Sequence, residues 1–212
     1  EAYNNLGVAL GKNEQYEEAE KVLKQVIKLQ PDFVEPLNNL GSILTHLEKY
    51  EEAKAILNQS IKINSQNAEP LSDLGDVYRK LNEYEKAIDY YKRAIKIKPN
   101  YYEALNSMGL ALTELKNYNK AKIILKEAIK IKPNFVDTYN NLGNVYKKIQ
   151  NFRKAILYYK KAINLNNKLA GIHNNLSYIF KSVGDNKNSI HYQKLAVTLD
   201  PNSVVFLESL LF

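Results

Sequence analysis

Residues 68–101 read AEPLSDLGDVYRKLNEYEKAIDYYKRAIKIKPNY, and this stretch decides the fold. Leu71, Leu74, Gly75 and Tyr78 recur at three-and-four spacing, which gathers them on one face of a helix, and Ala87, Tyr91, Ala94 and Ile95 repeat that spacing in a second segment. Pro99 closes the second segment, because proline has no N–H to donate and its ring blocks the preceding turn. The stretch therefore predicts two amphipathic helices joined by a short turn.

The same pattern runs outward in both directions. Leu-Gly or Met-Gly recurs at Leu6-Gly7, Leu40-Gly41, Leu74-Gly75, Met108-Gly109 and Leu142-Gly143, each 34 residues after the last, and a sixth copy has Leu176-Ser177. Ala19, Ala53, Ala87, Ala121, Ala155 and Ser189 keep that register, preceded by the aromatics Tyr16, Tyr50, Tyr84, Tyr118 and Phe152 and, in the last copy, by Asn186. Pro31, Pro99, Pro133 and Pro201 close four units, with Ser65 and Asn167 in the other two. The units are 1–33, 34–67, 68–101, 102–135, 136–169 and 170–203. One helix hairpin cannot bury its own apolar face, so the units are expected to stack into a solenoid. A glycine inside a helix costs about 1 kcal/mol relative to alanine. Close approach of the paired helices across Gly75 and Ala87 is the expected compensation. Asp32, Gln66, Asn100 and Asn134 sit just before first helices, where Asp and Asn are expected to accept from the free N–H groups.

Composition sets the functional bounds. The chain has 212 residues, no cysteine and three histidines, which removes disulfides, thiolate nucleophiles and cysteine-based zinc sites. His46, His173 and His191 do not pair at metal-ligand spacing, and the repeated glycines lie inside helices where they cannot cradle phosphate. Paired acids such as Glu17-Glu18 and Glu51-Glu52 open second helices, where the helix dipole accounts for them. No enzyme activity, cofactor or metal is expected. No apolar run reaches the roughly 18 residues needed to cross a bilayer, so no membrane partner is expected. The net charge is +7, but Arg contributes only Arg79, Arg93 and Arg153, whereas recognition of phosphates and guanines leans on arginine. Lys92, Lys96, Lys122, Lys126, Lys130 and Lys160 fall on second helices, so nucleic acid is not expected either. Binding of nucleic acid or an anionic membrane through that basic surface is the competing reading, and self-assembly is a third.

Glu1 stands where a native chain has Met and already lies in a helical pattern. The chain is therefore expected to be a piece of a longer protein, and the absence of cysteine suits the cytoplasm. Residues 204–212, with Val204, Val205, Phe206, Leu207, Leu210, Leu211 and Phe212, read as a half-repeat or capping helix. Its outer side is apolar too, so the expectation is either a further domain beyond it or a homo-oligomer formed through it.

These residues resemble the tetratricopeptide repeat, whose motif has a large residue at position 4, Leu-Gly at 7 and 8, Tyr at 11, Ala at 20, an aromatic at 24, Ala at 27 and Pro at 32. Repeats three and five fit best, through Leu71 or Tyr139, Tyr78 or Tyr146, Tyr91 or Tyr159, and Ala94 or Ala162. Repeat six departs at His173, Ser177, Ser189 and Gln193, which leaves its packing open. The resemblance implies an all-α, right-handed superhelical solenoid of antiparallel helix pairs that binds a peptide or protein along a concave groove.

At 100° per residue, positions 2, 6, 9 and 13 of a first helix lie opposite the packing face formed by 4, 7, 8 and 11. Position 6 reads Asn5, Asn39, Asp73, Ser107, Asn141 and Asn175, and position 5 reads Asn4, Asn38, Ser72, Asn106, Asn140 and Asn174. A carboxamide both donates and accepts, so a column of them can pair with an extended main chain of any sequence. The position 6 column is similar to the asparagine ladder of O-linked N-acetylglucosamine transferases and their SPINDLY relatives, with Asp73 and Ser107 departing from it. That similarity implies a peptide-binding groove, which would serve a larger enzyme such as a glycosyltransferase as its substrate-recruiting arm. Codon bias toward asparagine is the alternative source of both columns. His46, Lys80 and Lys148 at position 13, and Asn144 and Tyr178 at position 9, complete the candidate groove. The clamp that some relatives use for a C-terminal carboxylate needs Lys at position 5 and is not expected here.

Overall fold

The computed structural model describes residues 2–204. Among them are twelve helices and no strand: α1 (Ala2–Lys12), α2 (Tyr16–Leu29), α3 (Val34–His46), α4 (Tyr50–Ile63), α5 (Glu69–Lys80), α6 (Tyr84–Ile97), α7 (Tyr102–Glu114), α8 (Tyr118–Ile131), α9 (Val136–Lys148), α10 (Phe152–Leu165), α11 (Ala170–Ser182) and α12 (Asn186–Leu199). Each of the six units holds two of them. The half-repeat expected over 204–212 lies, apart from Val204, outside the described residues. The chain forms two compact units, residues 1–115 with α1 to α7 and residues 116–212 with α8 to α12.

In the first unit α1 packs on α2, α3 on α4 and α5 on α6, and each second helix packs on the next first helix. First helices also touch one another, α1 with α3, α3 with α5 and α5 with α7, so they make a continuous face. In the second unit α9 packs on α10, α11 on α12, and α8 and α10 pack on the first helices that follow them. The core follows the repeat: Leu23, Leu57, Tyr91, Leu125 and Tyr159 at position 24 are fully buried, as are Ala19, Ala53, Ala87, Ala121 and Ala155 at position 20. Burying each such large side chain contributes about 1.5–3 kcal/mol.

The glycines admit a large side chain of the paired helix. A Cβ built on Gly75 would lie 2.5 Å from the Tyr91 ring, one on Gly143 would lie 2.6 Å from the Tyr159 ring, and one on Gly7 would lie 2.7 Å from Leu23. The small residue at position 8 makes room for the large side chain at position 24. In repeat six, Ser177 and Ser189 replace Gly and Ala together. The Ser177 hydroxyl donates to the Ser189 carbonyl at 2.9 Å, which satisfies the polar group that the departure buries. His173 Nε2 lies 2.9 Å from the Asn167 carbonyl, as the Tyr139 hydroxyl lies 2.9 Å from that of Pro133.

The expected caps are also corrected. The residues at the N-caps of α3, α5, α7 and α9 are Phe33, Ala68, Tyr101 and Phe135, and none makes a side-chain cap bond. Asp32, Gln66, Asn100 and Asn134 fall one or two residues too early, in the preceding turn. Side-chain caps occur instead on second helices, at Asn117, Asn151 and Asp185. In repeats one, two, three, five and six the inner turn is a left-handed residue followed by a six-to-one hydrogen bond: Glu48 has φ 59°, and the Lys49 N–H reaches the Leu44 carbonyl at 2.9 Å. Glu14, Asn82, Lys116 and Gln150 take that conformation too, and only the last copy places a glycine there, Gly184.

Candidate functional site

On the first-helix face of residues 1–115, the register brings several of the expected residues together. Asn39, Ser42 and His46 of α3 meet Val8 and Lys12 of α1 around a depression of about 190 Å3. His46 is held there by stacking on Tyr16, 4.8 Å between ring centroids. A second depression of about 330 Å3 runs across α3, α5 and α7, lined by Thr45, His46, Asp73, Asp76, Arg79, Lys80, Asn106 and Ser107. Asn5 is exposed on α1.

The acids at this centre differ in role. Asp76 Oδ1 accepts from the Tyr91 hydroxyl at 2.9 Å and from Arg79 Nη2 at 3.0 Å, so it is anchored from the core side and neutralised from its own helix. Asp73 lies one turn away. Burial, followed by the charges of Asp76 and Glu69, pushes its carboxyl well above the usual carboxylate range.

The two asparagine columns separate. At position 5, Asn4, Asn38, Ser72 and Asn106 are buried, and Asn38 Oδ1 accepts from Ser60 Oγ at 2.5 Å. Asn4 Oδ1 accepts from Asn39 Nδ2 at 3.0 Å, joining neighbouring repeats. Asn38 Nδ2 also donates to Glu69 of the next repeat at 3.4 Å, so Asn4 and Asn38 are engaged within the array. At position 6, Asn39 gives its amide to Asn4 and lines the smaller depression. Asn141 is covered, 8% exposed.

In residues 116–212, a depression of about 460 Å3 is lined by Lys147, Lys148, Gln150, Phe152, Asn174, Asn175 and Tyr178. It unites the expected Asn175, Lys148 and Tyr178 with Lys147, which the sequence reading passed over. Lys147 Nζ donates to Asn175 Oδ1 at 2.6 Å and lies 5.8 Å from the centre of the Tyr178 ring. Burial and then the charge of Lys148 push its ammonium below the usual lysine range. Asn175 Nδ2 donates in turn to Asn144 Oδ1 at 3.4 Å, and that oxygen also accepts from the Tyr159 hydroxyl at 2.6 Å. Asn144 is therefore a brace between core and face.

Two signals for this were present in the sequence. A tyrosine at position 24 accompanies an acceptor at position 9, Tyr91 with Asp76 and Tyr159 with Asn144. The charge is also split: residues 1–115 hold 14 Lys and Arg against 18 Asp and Glu, a net of −4, while 116–212 hold 16 against 5, a net of +11. Among the described residues no helix is long and apolar enough to cross a membrane, and no three His, Asp or Glu gather as a metal site.

Tetratricopeptide repeat models match residues 1–33, 32–100, 136–169 and 170–203, and a TPR repeat model matches 109–150. The chain belongs to the tetratricopeptide repeat family. No curated protein matches it. Among solved structures, it is similar to the type IV pilus biogenesis factor PilW, with a TM-score of 0.87 and 19% identity over 100% of this chain and 97% of that one. It is similar to pilF of Pseudomonas aeruginosa, with a TM-score of 0.79 and 18% identity over 98% and 94%. YrrB, described as a TPR protein with an unusual peptide-binding site, gives a TM-score of 0.64 and 16% identity over 90% and 98%. These likenesses concern the all-α tetratricopeptide fold.

Proposed function

We propose that this tetratricopeptide array is a binding scaffold that holds an extended polypeptide along its first-helix face. The observation that carries the reading is the depression across α3, α5 and α7, where side chains from three successive repeats present donors and acceptors in a row. A strand needs such a row, because its main-chain groups leave water on binding and must be met again. Lys80 and Ser107, on the lining of that depression, are side chains that would meet them. YrrB, of similar fold, is itself described by its peptide-binding site. As the recruiting arm of a larger enzyme such as a glycosyltransferase, or working as a separate scaffold, the array would use the same contact.

The test is selection of short linear peptides from a displayed library, followed by titration of the best binder against Lys80→Ala/Ser107→Ala. A loss of about 1 kcal/mol per hydrogen bond is expected, with the thermal midpoint nearly unchanged. Selection of no linear peptide, or a binder indifferent to both substitutions, contradicts the reading.

A further inference from the structure

Repeats three and five place a cation at position 12 of the first helix, and they neutralise it differently. In repeat three Arg79 sits on Asp76 of its own helix, 3.0 Å from Oδ1. In repeat five the residue in register with Asp76 is Asn144, and the hydrogen bond of Lys147 goes to the neutral Asn175. The Lys147 ammonium is half-buried, stands beside Lys148, and opens onto a depression of about 460 Å3 that no carboxylate lines among the described residues. An ammonium has three donors, and a partly buried one without a counter-charge is a standing cost that an incoming anion removes.

We infer that the depression between α9 and α11 takes the carboxylate of an Asp or Glu side chain carried on an extended polypeptide, with Lys147 and Lys148 supplying the charge that Asp76 supplies internally in repeat three. The inference rests on the peptide-binding reading and adds which side chain the peptide must bring. The lining favours a polypeptide over a nucleic acid. Asn174 and Gln150 offer carboxamides suited to main-chain amides, Tyr178 is 60% exposed and Phe152 is half-buried, and no arginine is present to grip phosphate in two places. The net charge of +11 over residues 116–212 steers an acidic segment toward this unit and away from residues 1–115.

The probes are a fluorescein-labelled peptide alternating Glu and Ser and its counterpart with Gln in place of Glu, read by anisotropy. The wild-type chain is expected to bind the Glu peptide about tenfold more tightly than the Gln peptide. Lys147→Gln/Lys148→Gln should abolish that preference. Asn144→Asp, which installs the repeat-three counter-charge, should abolish it as well, and it carries the test alone if the double variant does not fold. Equal binding of both peptides by the wild type overturns the acidic preference while leaving the scaffold reading in place. Binding of neither peptide overturns both. A single-stranded oligonucleotide of equal charge that displaces the Glu peptide at lower concentration assigns the site to nucleic acid and overturns the inference.

Discussion

Repeat three, residues 68–101, and repeat five, residues 136–169, share one scaffold and carry different faces. Tyr78 stacks on Tyr90 at 5.2 Å as Tyr146 stacks on Tyr158 at 5.4 Å. Lys86 and Lys154 each lie 5.4 Å from the first ring of their pair, and Lys54 and Lys122, from the preceding repeats, reach the same rings at 5.8 and 6.0 Å. The hydroxyl at position 24 crosses the core to position 9 in both. What changes is the acceptor it meets, Asp76 or Asn144, and with it whether the neighbouring cation is neutralised. Packing positions are constrained by every adjacent repeat, while the residue presented beyond them is free to set the charge of the face.

That contrast can be broken at the core. Gly75→Ala and Gly143→Ala should each destabilise the chain by about 2 kcal/mol, since driving a methyl into a packed ring costs about 1–3 kcal/mol and the gain in helix propensity returns only part of it. Urea unfolding checks this, and clearly unequal losses would show that the two repeats do not pack alike. The contrast sharpens at the hydroxyls. Tyr91→Phe removes a bond to a carboxylate and should cost about 1.5 kcal/mol, whereas Tyr159→Phe removes one to a carboxamide and should cost about 1 kcal/mol. Reversal of that order would contradict the assigned roles of Asp76 and Asn144.

A smaller effect depends on pH. The pKa of Asp73 is raised in the folded chain, so its contribution favours folding at low pH and is lost as pH rises through the raised value. Asp73→Asn should therefore stabilise the chain at neutral pH, and the gain should disappear below the ordinary carboxylate pKa of about 4. Thermal melts at both pH values measure it, and a gain independent of pH would contradict the cause given.

The fold was legible because the constraint repeats every 34 residues: Leu-Gly, Ala and a closing Pro announce each hairpin whatever the surface carries. The glycine at position 8 was recognised, but its partner at position 24 was not, because that contact depends on how two helices rotate against each other. The left-handed turn residues were hidden, since Glu14, Glu48, Asn82, Lys116 and Gln150 show none of the glycine that usually marks such a turn. On the candidate face, helical periodicity placed His46, Asp73, Lys80 and Ser107 together, as it did Lys148, Asn175 and Tyr178. Periodicity does not show which polar residues are already spoken for. Asn38 bonds Ser60 from another helix, and Asn141 lies covered, although both read like their exposed neighbours. Lys147 was missed for the converse reason, because its significance comes from a carboxylate that repeat five lacks.

The central claim is that a polypeptide lies against first helices. A photo-crosslinking side chain installed in turn at Ser42, Ser107 and Tyr178 on first helices, and at Lys92 and Lys160 on second helices, tests it with a library-selected peptide. Crosslinks from Ser42, Ser107 and Tyr178, with none from Lys92 or Lys160, are the expected result. Crosslinks confined to Lys92 and Lys160 would place the partner on the opposite surface and contradict the account.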